Sequence, residues 1–142
     1  MISERLLDIR EDAELNQEEM AEILKVSQAN YSRWETGKEL IPLSKLNLLC
    51  NYFNVSMDYV IGLTRTSKDE NKHKFNNEII GIKLKEFRKK NGLTQEKLAT
   101  ILNTTQSTIS AYENGKTTLL TPFALQLVKE YNISLDWLCG RK

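Results

Sequence analysis

Residues 17–38 read QEEMAEILKVSQANYSRWETGK, and residues 95–116 read QEKLATILNTTQSTISAYENGK. The second stretch restates the first at a fixed offset of 78 positions. Outward from this core the same step maps Leu6 to Leu84, Arg10 to Arg88 and Leu15 to Leu93. Beyond it the step maps Asn54 to Asn132, Ser56 to Ser134, Asp58 to Asp136 and Gly62 to Gly140. No gap is needed anywhere. A unit of about 60 residues is therefore present twice. Two copies are too few for a solenoid, so the repeat predicts two globular domains, at 1–64 and 78–142. The segment 65–77 between them is polar and charged, and it reads as a linker. A flexible chain of that length has an r.m.s. span of roughly 20 Å and a maximum of about 45 Å. An alternative is that part of it extends the helix that follows.

Composition agrees with small soluble helical domains. Hydrophobic residues make up 40% and charged residues 27% of the 142 positions, which argues against wholesale disorder. Two Pro and six Gly in a chain rich in Leu, Glu, Lys and Gln favour helix over sheet. No apolar run approaches the ~18 residues of a membrane span. Met1 to Arg5 lacks a basic segment followed by an apolar one, so nothing signals secretion, and a cytoplasmic, nucleoid-associated protein is expected. Cys50 and Cys139 lie far apart in apolar helical contexts and read as reduced core residues. The net charge of +1 conceals an asymmetry: −5 over 1–64, +2 over 65–77 and +4 over 78–142. Local placement, rather than the total, sets the field that a phosphate backbone feels.

Each unit predicts five short helices. Ile2, Leu6 and Ile9 recur at helical spacing, as do Ile80, Leu84 and Phe87. Gly92 suits the left-handed residue that closes such a helix, whereas the first copy has Glu14 there. Asn16 with Glu19 has the spacing of a capping box. Thr94 caps the second copy, and Lys97 breaks the reciprocal half. Met20, Ala21 and Leu24, like Leu98, Ala99 and Leu102, face inward. Ser27 and Thr105 cap a third helix in which Tyr31 and Trp34, or Ile109 and Tyr112, form the buried side. A fourth helix starts near Pro42 or Thr121-Pro122, with Leu46, Leu49 and Phe53, or Leu127 and Tyr131, on its core face. A fifth is capped by Ser56 or Ser134 and holds Met57, Val60 and Ile61, or Leu135, Trp137 and Leu138. The result is an all-α bundle.

Two helices joined by a three- or four-residue turn make a helix-turn-helix. With its aromatic side buried, the third helix of the first unit presents Gln28, Ala29, Asn30, Ser32 and Arg33. The second presents Gln106, Ser107, Thr108, Ser110 and Ala111, with Asn114 just beyond. These are short or neutral hydrogen-bonding groups, unlike the Glu/Lys mixture of a solvated helix. Gln and Asn bond adenine through two atoms, Arg does the same to guanine, and Ala sits against a thymine methyl. Gln17 and Gln95 open the second helix, where unpaired N–H groups and the dipole favour a phosphate. Lys38 and Lys116 add cations for the backbone just past the third helix.

The blocks Leu-(Asn/Thr)-Gln-Glu-x-(Met/Leu)-Ala, Gln-x-x-x-Ser-x-(Trp/Tyr)-Glu-x-Gly-Lys and (Val/Ile)-Ser-(Met/Leu)-Asp-(Tyr/Trp) occur in order, twice. In this the chain resembles the Cro/repressor, or Xre-type, helix-turn-helix family over all but the linker. The resemblance implies two tandem five-helix lambda-repressor-like DNA-binding domains in a prokaryotic or phage transcription regulator, and a repressor is expected. It implies that Gln17 and Gln95 bond the DNA backbone and that Gln28 and Gln106 read a base, usually adenine. It further implies base contacts from Ala29, Ser107, Arg33 and Ala111, and pairing of Arg10 with Glu35 and of Arg88 with Glu113. Ala111, which neither donates nor accepts, departs from the pattern, and so does the acidity of the first unit.

The expected partner is double-stranded operator DNA, with a homodimer of the chain left open. An alternative makes the acidic set Glu11, Asp12, Glu14, Glu18, Glu19 and Glu22 a protein-binding surface, as in an antitoxin-like regulator, leaving DNA to the second unit. A third reading turns that set simply away from DNA. Lys83, Lys85, Lys89 and Lys90 read equally as a phosphate-facing patch and as a solvated face. His73 has no second metal ligand nearby. Catalysis finds no candidate site, so neither enzyme activity nor a cofactor is expected. The length also leaves no room for a self-cleaving or ligand-binding domain of ordinary size.

Overall fold

Apolar residues at three- and four-residue spacing, closed by polar caps, give ten helices in the computed structural model, which describes residues 2–142. In the first unit these are α1 (Ile2–Asp12), α2 (Gln17–Ile23), α3 (Gln28–Glu35), α4 (Leu43–Phe53) and α5 (Met57–Val60). In the second they are α6 (Asn77–Lys90), α7 (Gln95–Ile101), α8 (Gln106–Glu113), α9 (Thr121–Tyr131) and α10 (Leu135–Leu138). The units divide after His73. Among the described residues the sole extended pairing is an isolated bridge between Val55 and Lys68.

Capping explains where these helices start. Asn16 accepts from the Glu19 N–H at 2.8 Å, and the Glu19 carboxylate takes the Asn16 N–H at 3.0 Å, a complete capping box. Thr94 makes only the first of these bonds. Ser27, Thr105, Ser56 and Ser134 each cap the helix that follows. At the close of α1 and α6, Glu14 and Gly92 both take a left-handed conformation, with φ of +57° and +66°. Glycine does this without cost, and glutamate does not.

In each unit the second and third helices pack on one another and the third packs on the first, with the fifth closing the bundle. Leu6, Met20, Leu24, Tyr31, Leu46, Leu49 and Met57 are fully buried in the first unit, and Ile80, Leu84, Leu98, Ile109, Leu127 and Leu135 are buried in the second. Each such side chain contributes about 1.5–3 kcal/mol. Cys50 and Cys139 are buried thiols of these cores. Arg5 lies over the Tyr59 ring at 4.0 Å, and Lys83 lies over Trp137 at 5.0 Å, so the first and fifth helices are tied by the same cation–π contact in both units. Lys83 is thereby committed to packing, whereas Lys85, Lys89 and Lys90 stay exposed.

The segment 65–77, read from sequence as a linker, is held along much of its length. The Ser56 N–H donates to Ser67 O at 2.9 Å, and the Asp69 N–H donates to Asn54 O at 3.1 Å. Asn47 and Asn51 on α4 both donate to His73 O, at 2.9 and 2.8 Å, and Asn51 Oδ1 accepts the His73 N–H at 3.0 Å. Lys72 bonds Asn51 O and Asn54 Oδ1, and the His73 ring lies 3.2 Å from Asp69. Residues to His73 therefore strap onto the first unit through backbone groups, and Asn76 caps α6.

Candidate nucleic-acid interface

A short pivot lies beneath each third helix. Arg10 donates from Nε and Nη2 to the two oxygens of Glu35, both at 2.8 Å, and from Nη1 to Leu15 O at 2.9 Å. Arg88 repeats this on Glu113 at 2.7 and 3.0 Å and on Leu93 O at 2.9 Å. Such two-pronged pairs fix the first helix to the end of the third. Burial by itself pushes the Glu35 carboxyl up, but hydrogen bonds from Arg10, Tyr31 and Gln17, together with the Arg10 charge, outweigh it and hold the group below the ordinary carboxylate range. Bonding to the carboxylates raises both guanidinium groups, so they stay charged. Burial, then Glu35, pushes the Tyr31 phenol up and keeps it neutral.

The same carboxylates orient the glutamines. Gln17 Nε2 donates to Glu35 Oε1 at 3.2 Å, and Gln95 Nε2 donates to Glu113 Oε1 at 3.2 Å. In the second unit the relay continues, with Gln106 Nε2 donating to Gln95 Oε1 at 3.3 Å. The sequence places a phosphate contact at Gln17 and Gln95, both from the helix start and from the family resemblance. Each side-chain nitrogen is turned to its carboxylate, at the start of a helix of 7 residues.

On α3, Gln28, Ala29, Asn30 and Arg33 are exposed and Ser32 is half-buried, above a buried side of Tyr31 and Trp34. On α8, Gln106 and Ser107 are exposed, and Thr108, Ser110 and Ala111 are half-buried. Thr105 Oγ1 bonds the Ser107 and Thr108 hydroxyls at 3.0 and 2.9 Å, so these side chains brace the start of α8. Asn114 Nδ2 bonds Ser110 Oγ at 3.3 Å. Lys38, Asn114 and Lys116 are exposed at the far end. Of the site residues singled out in the sequence, those at 28–33 and 106–111 thus occupy exposed or half-buried positions on α3 and α8, Gln17 and Gln95 reach those helices through Glu35 and Glu113, and Lys38, Asn114 and Lys116 lie exposed just past them. The sequence reading missed Glu39, which stands 4.0 Å from Arg33. Its signal was a carboxylate just past the closing glycine, where the second copy has Thr117.

Two pairs of helices, α2–α3 and α7–α8, each set by a tight turn and a buried carboxylate, define a helix-turn-helix protein carrying the motif twice. The helix-turn-helix family model HTH_3 matches residues 6–60 and again 84–138. The chain belongs to this Xre-type helix-turn-helix family. It is 34% identical over 64 residues to the uncharacterized HTH-type transcriptional regulator YobD of Bacillus subtilis (strain 168), a match covering 45% of this chain and 57% of YobD. It is 33% identical over 86 residues to the HTH-type transcriptional activator BcrR of Enterococcus faecalis, covering 56% of this chain and 42% of BcrR. The chain thus spans about half the length of the curated relatives it matches. No solved structure matches it. Among the described residues no helix is long and apolar enough to cross a membrane.

Proposed function

We propose that this chain is a sequence-specific DNA-binding transcription regulator of the cytoplasm, and that it acts as a repressor. Each unit lays its third helix in a major groove and reads one half-site of an operator. The observation that carries this reading is the outward side of α3 and α8. It offers Gln, Asn, Ser and Thr groups with a single arginine, and the opposite side of each helix is buried in its core. Gln28 and Gln106 are the leading base-readers, and Lys38 and Lys116 are backbone contacts. Because Ala29 and Arg33 stand where the second unit has Ser107 and Ala111, the two half-sites differ. Selection of bound sequences from a random duplex pool, using the full chain, tests this. Two unlike half-sites are expected. A palindrome would mean instead that copies of the chain pair and read through one kind of unit.

A second reading rests on charge. Glu11, Asp12 and Glu19 of the first unit occupy the positions of Lys89, Lys90 and Lys97 in the second, and all six are exposed. A reversal at three equivalent positions favours DNA at the second unit and leaves the first acidic side to a protein partner. Full-length chains altered at Gln28 and Arg33, or at Gln106, separate the readings. Under the first proposal both changes erase a half-site; under the second only the Gln106 change matters. Affinity should fall steeply with salt in either case. A promoter-fused reporter distinguishes repression from activation.

A further inference from the structure

Arg33 is the one cation on α3, and its guanidinium is hydrogen-bonded on one side and faces a carboxylate on another. Nη1 donates to Asn30 Oδ1 at 2.8 Å, one turn back along the helix. Nε lies 4.0 Å from Glu39 Oε1. Glu39 reaches this place because the chain reverses at Gly37, whose φ is +79°, and the Glu39 N–H donates to Arg33 O at 3.1 Å. In the second unit the corresponding carbonyl, that of Ala111, is taken by the Lys116 N–H at 2.9 Å, one position earlier. The three residues are replaced together there, by Thr108, Ala111 and Thr117. Arg10 and Glu35, which hold the fold, are kept in both copies. Arg33 and Glu39 are 47% and 58% exposed, and pairs so exposed add little stability. Their effect is on where the guanidinium points. With Nε toward Glu39 and one Nη1 proton on Asn30, the second Nη1 proton and Nη2 remain as a parallel pair of donors.

We propose that Asn30 and Glu39 are positioning residues that aim Arg33 at the O6 and N7 atoms of a guanine. The half-site of the first unit then demands a G·C pair that the half-site of the second does not. This rests on the DNA-reading function proposed above. Glu39 also repels phosphate, which keeps Arg33 from swinging onto the backbone and trades general affinity for discrimination.

The test uses the full chain and a pool of duplex oligonucleotides with a randomised core. Selection is followed by titration of the recovered duplex, with each base pair changed in turn, at two salt concentrations. Wild type should show one guanine-requiring position, and Arg33→Ala should erase it with a loss of about 5- to 150-fold in discrimination. Glu39→Gln and Asn30→Ala should each cut that preference several-fold and leave every other position unchanged. Grafting Thr108→Asn, Ala111→Arg and Thr117→Glu together should create a second guanine position, stronger than Ala111→Arg creates alone. If Glu39→Gln tightens binding to all duplexes equally and the guanine preference stays intact, the carboxylate merely repels phosphate and the positioning role is wrong. A wild-type chain that selects a sequence without any requirement sensitive to Arg33 also overturns it. A wild-type chain that enriches no sequence refutes DNA reading itself, a different and recognisable failure.

Discussion

Replacing Glu113 by Ala removes the anchor under α8 and leaves the Arg88 guanidinium facing a void. Arg88 and Glu113 side chains are 12% and 3% exposed, and two hydrogen bonds of 2.7 and 3.0 Å join them. Deleting one partner of a buried pair costs about 3–5 kcal/mol, mainly because a desolvated charge is left behind. Arg88 keeps its bond to Leu93 O at 2.9 Å and a sliver of solvent contact, which places the loss near the lower end, about 3 kcal/mol. For a unit of this size that lowers the melting temperature by roughly 12–24 °C. The assay is guanidinium denaturation of the full chain on a Trp34→Phe background, in which Trp137 on α10 alone reports, and reports on the second unit. The pair variant Arg88→Met with Glu113→Leu should recover most of the loss, because apolar residues need no partner. A loss under about 1 kcal/mol for Glu113→Ala, or a pair variant as unstable as the single one, would refute the reasoning.

Three further outcomes follow from local geometry. A Cβ at Gly81 would stand 2.4 Å from Tyr112 O and 2.6 Å from Glu113 O, so Gly81→Ala should push α6 off α8 and cost about 1–3 kcal/mol by thermal denaturation. Glu14, at φ +57°, should gain about 0.5–1 kcal/mol on replacement by Gly, and Gly92→Glu should lose a similar amount; equal midpoints for wild type and Glu14→Gly would count against this. The depressed Glu35 carboxyl stabilises the native state fully above its ordinary value of 4.5. That contribution should fade as pH drops below 4.5, so the advantage of wild type over Glu35→Gln should shrink steadily on acidification below that pH.

The repeat, the caps and the buried stripes were legible because each depends on residue type at a fixed spacing. Ser27 and Thr105 announce α3 and α8 by chemistry that acts within three residues, and Tyr31 and Trp34 announce the core by periodicity. The strap from Arg65 to His73 was not legible. It is held by Asn47 and Asn51 gripping a backbone carbonyl, and every residue has a carbonyl. Gln17 and Gln95 were legible as the first residues of their helices and opaque in orientation: that they turn their nitrogens to Glu35 and Glu113 depends on two helices meeting. Glu39 was missed for a related reason, since a backbone bond to Arg33 O, and no side-chain pattern, brings it back to α3.

The buried Arg–Glu pair beneath each third helix separates what must be inherited from what is free to drift. Once such a unit is duplicated, its anchor does not tolerate loss of either partner alone, while Gln28, Ala29 and Arg33 stand exposed on α3. Either copy is therefore free to acquire a new target in single mutational steps without first passing through an unfolded ancestor. The divergence of Arg33 from Ala111, over an anchor left untouched, is the trace that such a history would leave.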